Sequence, residues 1–191
     1  RWQKRSWDAH AQDQRNQAMY AVVHGGVNPE LRKESACFLR DIPFDGFAVG
    51  GSLGKDVADI DKVLQYSVPF LPETHPRHLL GIADTKGIDC GVRHGMDTFD
   101  SCYPMRSARH GVLFLSGHER LKITAGKFKQ DFSPIDDTCP CYTCKNFTRA
   151  YVHHLFKAHE PTAHTLASVH NVVAMDRIMQ NYREDIVNNR I

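Results

Sequence analysis

The chain has 191 residues, of which 41% are hydrophobic and 24% charged, and its net charge is +2. This is enough chain to bury a core as one domain, with an ordinary globular composition. No apolar run approaches the ~20 residues of a transmembrane helix, the opening RWQKRSWDAH has no apolar centre like that of a signal peptide, and so small a net charge does not by itself mark a nucleic-acid binder.

Residues 19–24 (MYAVVH) form a short apolar strand that ends at Gly25-Gly26. Asn28-Pro29 then reads as a helix N-cap with proline at the first helical position, and Leu31, Ser35 and Phe38/Leu39 follow at helical spacing. Residues 47–49 give a second strand closed by Gly50-Gly51, and Asp56 can cap a helix carrying Ile60, Val63/Leu64 and Val68. Residues 78–82 (HLLGI) give a third strand with a short helix around 88–92, and residues 98–102 a fourth that stops at Pro104. Serial βα units imply a parallel sheet. Each strand ends in residues that admit a ligand or carry chemistry: HGG, VGGS, LGIAD and FDSCYP. Active sites of (β/α)8 barrels lie at such ends, so the pattern is that of half a barrel, with an open doubly wound sheet as the competing architecture. Beyond Pro104 the rhythm breaks into a turn-rich stretch, an amphipathic helix over 146–158 through Phe147, Tyr151 and Leu155, and a longer one over 165–187 presenting Val169, Val172, Met175, Met179, Tyr182 and Ile186.

Two clusters carry chemistry in this second part. Arg106, Arg109, Arg120, Lys122, Lys127 and Lys129 are opposed only by Glu119 between 103 and 130, and Lys145 and Arg149 extend the basic character; such a local excess meets phosphates or forms a solvated face. Cys139, Cys141 and Cys144 lie in DDTCPCYTC, a C-x-C-x-x-C turn too tight for a disulfide pattern. Zn²⁺ takes four N/S ligands tetrahedrally, and spacing leaves the fourth open among His153, His154, His159, His164 and His170. The remaining cysteines, Cys37, Cys90 and Cys102, are scattered singly, as in a reducing cytosol.

DGFAVGGS, RHLLGIAD, GMDTFDSCYPMRSARHG, CPCYTCKNFTRAYVHHLF and SVHN, in this order, resemble the C-terminal half of a tRNA-guanine transglycosylase, and the resemblance runs the length of the chain. It implies the C-terminal half of a (β/α)8 TIM barrel with a zinc-binding subdomain: barrel βα units over 1–104, an RNA-contacting segment and zinc subdomain over 105–170, and a C-terminal helix over 171–191. The implied enzyme is a cytoplasmic pentosyltransferase that exchanges guanine at the wobble position of a G34 tRNA anticodon for queuine or a 7-deazaguanine precursor. It would act through a covalent Asp-ribosyl intermediate, as a homodimer or a heterodimer with a related subunit, and away from membranes. The family nucleophile falls on Asp100, which the strand-end position supports independently, since alternation turns Asp97 to the opposite face. The zinc ligands fall on Cys139, Cys141, Cys144 and His170, one structural zinc per chain, leaving the other histidines to the helix surface or to packing. The base site falls on His24, Gly50, Gly51, Leu80 and Gly81. RNA contacts fall on Gly81, Ile82, Ala83, Asp84, Thr85, Lys86 and Gly87, and on Met105, Arg106, Ser107, Ala108 and Arg109. Asp56 matches an acidic pocket-loop residue but serves equally as an N-cap.

Three positions depart from the family pattern: His24 stands for the usual glutamine, Ser52 for leucine and Met105 for threonine, which leaves the choice of base open. The family's acid/base and base-recognition aspartates belong to an N-terminal half, and a (β/α)8 barrel takes about 250 residues. The 191-residue chain is therefore expected to be a fragment or truncated product, inactive by itself. The competing functional readings are a non-catalytic tRNA-binding partner subunit and an inactive truncated product; retention of Asp100 favours the catalytic one.

Overall fold

The computed structural model describes residues 1–116 and 119–191, which fall into two compact units, Arg1–Ser101 and Cys102–Ile191. The first unit begins with helix α1 (Trp2–Gln12) and continues as β1 (Tyr20–Val23), α2 (Pro29–Arg40), β2 (Gly46–Val49), α3 (Val57–Ser67), β3 (Arg77–Leu79), α4 (Thr85–Arg93) and β4 (Thr98–Phe99). The four strands are parallel and lie in the order β1-β2-β3-β4. A doubly wound sheet reverses its strand order at a switch point; this strictly sequential order is that of a (β/α)8 barrel.

Local chemistry sets the helix starts. Asn28 Oδ1 accepts from Leu31 N at 2.9 Å with Pro29 in the first turn of α2, Asp56 Oδ1 accepts from Asp59 N at 3.0 Å to cap α3, and Asp84 Oδ1 accepts from Gly87 N at 3.0 Å to cap α4. One face of the sheet packs Val23, Val49 and Leu79, all fully buried, with Leu39, Phe44, Val63 and Leu64. Truncating a side chain such as Leu64 here would cost about 2–5 kcal/mol.

The buried face of α2 differs from the one its apolar spacing predicts. Leu31 and Phe38 are exposed, and Arg32, Ala36 and Leu39 face inward. The third and fourth strands are also shorter than predicted, ending at Leu79 and Phe99, because Leu80-Gly81 and Asp100 turn out of the sheet.

The second unit contains α5 (Tyr103–Arg109), an antiparallel hairpin of β5 (Val112–Phe114) and β6 (Arg120–Lys122), then α6 (Tyr142–Asn146), α7 (Arg149–Lys157) and α8 (Thr162–Val187). Leu113, Ile123, Ile135, Val152 and Ala167 form its core. The helix expected over 146–158 is α7, which begins a little later, where Thr148 caps it by accepting from Tyr151 N at 3.2 Å; the short α6 before it ends at Asn146. Along α8 the buried stripe is Ala163, Leu166, Ala167, His170, Asn171, Ala174 and Ile178, rotated from the predicted one, so that Val172 and Ile186 are exposed. The large apolar residues that suggest a stripe by composition are set aside for small ones, because α8 approaches α5, α6 and α7 closely.

Candidate active site and metal centre

Parallel register pairs Val23 with Val49, Val49 with Leu79, and Leu79 with Phe99. The next residues, His24, Gly50, Leu80 and Asp100, therefore emerge side by side at the C-terminal edge of the sheet, one strand spacing of about 4.8 Å apart. A side chain at Gly50 would collide with Leu80 Cδ1, and one at Gly51, where φ is +74°, would lie 3.0 Å from His24 Nδ1. The edge is thus lined by bare backbone between His24 and Leu80.

Asp100 is more than half exposed, and its Oδ1 accepts from Gly81 N–H and from His78 Nε2–H, each at 3.0 Å. Gly81 reaches it from a turn with φ +77°, a conformation suited to glycine. The Gly81 N–H holds the carboxyl below the usual aspartate range; slight burial works against it, and the His78 bond adds to the lowering. Thr98 Oγ1 lies 2.8 Å from His78 Nδ1, so a hydroxyl donating there leaves Nε2–H to face the carboxylate. Among the described residues no hydrogen bond reaches Asp100 Oδ2. Asp97, on the opposite face, has a structural job, its Oδ2 accepting from Arg77 N at 2.7 Å.

The other sequence-predicted positions divide. Gly81 and Lys86 are exposed and Ile82, Asp84 and Thr85 half-buried, whereas Ala83 and Gly87 pack inward and Asp84 is occupied as the α4 cap. On α5, Met105, Arg106 and Arg109 face solvent, while Ser107 and Ala108 are buried. Asp56 is an N-cap, the local role its position allowed. His78 was not singled out from the sequence; its signal was its register partner Thr98, two residues before the carboxylate.

In the second unit Cys139, Cys141, Cys144 and His170 bring three Sγ atoms and one imidazole nitrogen within 4.8 Å of one another. His170 Nε2–H donates to Phe114 O at 2.7 Å, which leaves the Nδ1 lone pair facing the sulfurs, 3.3 Å from Cys144 Sγ and 3.6 Å from Cys141 Sγ. Cys141 caps α6 by accepting from Cys144 N, and Thr143 Oγ1 donates to Leu166 O at 2.7 Å, joining α6 to α8. Burial pushes the thiols of Cys139 and Cys144 up and His170 down, favouring the protonated sulfur and the neutral imidazole at these three positions. The donor set fits a metal ion, whose charge would reverse that preference at sulfur.

Among the described residues no other histidine joins this cluster: His153 donates from Nδ1 to Ile123 O at 2.7 Å, His164 packs on Phe156, and His154 and His159 are exposed. The adjoining SVHN motif contributes a residue the sequence did not assign. Asn171 accepts from Phe114 N at 3.0 Å and donates to Pro104 O and Val112 O at 2.9 Å. Near the hairpin, Arg120, Lys122, Lys127 and Arg149 line a cavity of about 450 Å³ with Phe128 at its wall and Glu119 as its acidic member. A further grouping in the first unit joins Cys90 to Asp61 and His94, whose Nε2 and Oδ1 satisfy each other at 2.7 Å across α3 and α4.

A parallel barrel sheet that presents an ionised aspartate among backbone-lined turns, with a Cys3His unit following it in the chain, defines a class: barrel proteins with a metal-binding appendage. Within that class the particular family is clear, because a model described as queuine tRNA-ribosyltransferase matches residues 1–191 and the chain belongs to that family. It is 50% identical over 97% of its length to a queuine tRNA-ribosyltransferase of Protochlamydia amoebophila, covering 48% of that relative. To the proteins of the same name from Chlamydia felis and Chlamydia abortus it is 48% and 46% identical over its whole length, covering 51% of each. The chain thus spans about half the length of the curated relatives it matches. Among the described residues no helix is long and apolar enough to cross a membrane.

Proposed function

We propose that this chain supplies the nucleophile and a structural zinc site of a tRNA-guanine transglycosylase, which exchanges guanine at position 34 of a tRNA for queuine or a 7-deazaguanine precursor. The observation that carries the reading is the asymmetry of Asp100, with Oδ1 tied by two donors and Oδ2 open at the strand edge beside Leu80 and Gly81. An ionised carboxylate so placed attacks C1′ of the ribose; a C–O bond forms, the C1′–N bond breaks, and guanine leaves with the electron pair and takes up a proton. The incoming base then attacks C1′ through nitrogen, loses a proton and releases the carboxylate. Two inversions restore the original configuration.

His78 would hold the carboxylate in line for attack, and His24, Gly50, Gly51, Leu80 and Gly81 would line the site of the exchanging base. Residues 81–87 and the exposed face of α5, with Arg106 and Arg109, suit the flanking RNA through forked guanidinium contacts. Zn²⁺ would be held by Cys139, Cys141, Cys144 and His170, filling its four positions with protein and so serving structure rather than chemistry. Tetrahedral zinc sets sulfur and nitrogen ligands about 3.5 Å apart, which brackets the 3.3 and 3.6 Å found between His170 Nδ1 and two of the sulfurs. The reading places the protein in the cytoplasm as a dimer. It is tested by incubating the native gene product with labelled guanine and a G34 tRNA. Label enters the RNA if the reading holds, and an unlabelled product with a correctly folded protein would refute it.

A further inference from the structure

Arg32 is fully buried on α2, yet every hydrogen-bond acceptor it meets is a backbone carbonyl. Nε–H donates to Gly26 O at 2.7 Å, Nη1 to Val23 O and Gly50 O at 2.9 Å each, and Nη2 to Ser52 O at 2.8 Å. None of the ion pairs among the described residues involves it. A charge left buried without a counter-ion is costly, and four carbonyl dipoles aimed at one guanidinium offset that cost only while all four stay in place.

The Val23 carbonyl ends β1, and the other three belong to two loops, the one after β1 that carries His24 and the one after β2 that carries Gly50 and Gly51. The first loop is also pinned elsewhere on α2, since His24 N–H donates to Ser35 Oγ at 3.1 Å and a Cβ at Gly25 would lie 2.7 Å from Arg32 N. Between Gly50 and Gly51 the peptide is trans, so a carbonyl turned toward the guanidinium turns the Gly51 N–H the opposite way. No acceptor within the chain takes that N–H among the described residues.

We propose that Arg32 is a positioning residue for base recognition: it locks the two loops to each other and aims the Gly51 N–H, beside the His24 ring, at an acceptor atom on the edge of a planar heterocyclic base. This rests on the proposed function above. A lysine at 32 keeps the charge, but its single ammonium lacks the planar fork that spans both loops.

The test uses the native gene product and its Arg32→Lys variant, with KM measured separately for the free base and for tRNA. The KM for base is expected to rise about tenfold, the worth of one oriented hydrogen bond, while that for tRNA stays within about twofold. An unchanged KM for base, or equal loss for base and tRNA, would overturn the proposal. If the variant does not fold, amide hydrogen exchange in the unsubstituted protein decides. On adding base, residues 23–26 and 50–52 should slow together, and protection confined to one loop counts against the lock. Absence of base exchange by the unsubstituted protein would instead condemn the functional reading, a result distinct from either of these.

Discussion

The two units hold their reactive groups in opposite ways. In the first, Asp100 stands more than half exposed at a sheet edge and is kept ionised by two donors on one oxygen. In the second, Cys139, Cys141 and His170 are almost wholly buried, and burial drives Cys139 and His170 toward their uncharged forms. An exposed carboxylate with a spare oxygen is arranged to react with something that arrives and departs. A buried set of neutral donors is arranged to be satisfied once, by an ion that stays. Ionisation state and exposure together separate the two roles more sharply than residue type does.

The strongest way to break this contrast is at the nucleophile. Asp100→Asn in the native gene product should abolish the covalent protein–tRNA adduct seen on denaturing gels while leaving the fold intact, because the side chain is exposed and packs no core. An adduct that persists would remove Asp100 from the mechanism. For the buried site, His170→Ala should release the metal and let protease into α6 and the start of α8, since structural zinc in small modules is worth about 10–16 kcal/mol of apparent binding. His153→Ala should keep its metal. Full retention by the His170 variant, read by elemental analysis, would require a different fourth ligand.

The next test sharpens the comparison rather than breaking it. His78→Phe removes one of the two donors on Asp100 Oδ1, so adduct formation should slow by about tenfold. With both donors present the carboxylate stays ionised until the pH falls below its ordinary value of about 3.9; without His78 the acid limb of the rate should move upward. A rate and acid limb both unchanged would show that Gly81 suffices. The last effect is one of stability rather than rate, at Asp136, beside the metal cluster. Burial raises its pKa, but Thr138 and Ser116 outweigh that and bring it to about 2. Because the folded value lies below the unfolded one, its contribution is complete above about pH 5 and is lost as pH falls toward 2, an effect of about 2 kcal/mol. Acid unfolding of Asp136→Asn against the parent protein would measure it.

The alternation of strand and helix was legible because each strand is a short apolar run closed by glycine or proline and each helix opens on a capping side chain. Asp100, His24, Gly50 and Leu80 could be placed at one edge for the same reason: parallel strands of similar length put their last residues in a row. What could not be read depends on pairings distant in sequence. His78 matters through register with Thr98, and Arg32 through distant carbonyls, so in a helix that also carries Glu30, Lys33, Glu34 and Arg40 it looks like surface. The hairpin of β5 and β6 escaped because three-residue strands carry too little alternation, and α1 because its polar composition buries no residue. Apolar spacing misplaced the inner faces of α2 and α8 for a related reason. Close packing selected Ala, His and Asn over larger neighbours.

One feature of α8 sets a limit on how this sequence can change. His170 and Asn171 grip the same residue from two sides, one taking the Phe114 carbonyl and the other its amide, and Asn171 reaches on to Pro104 at the head of α5. Each residue added to a helix rotates everything beyond it by about 100°. A single insertion between Leu166 and His170 would therefore unhook the metal ligand, the hairpin and the helix bearing Arg106 and Arg109 in one stroke, whereas one after Ile178, past the last buried position, would pass unnoticed by all three. Over the stretch from Leu166 to Asn171 the spacing of the chain is itself under constraint, independently of which side chains fill it.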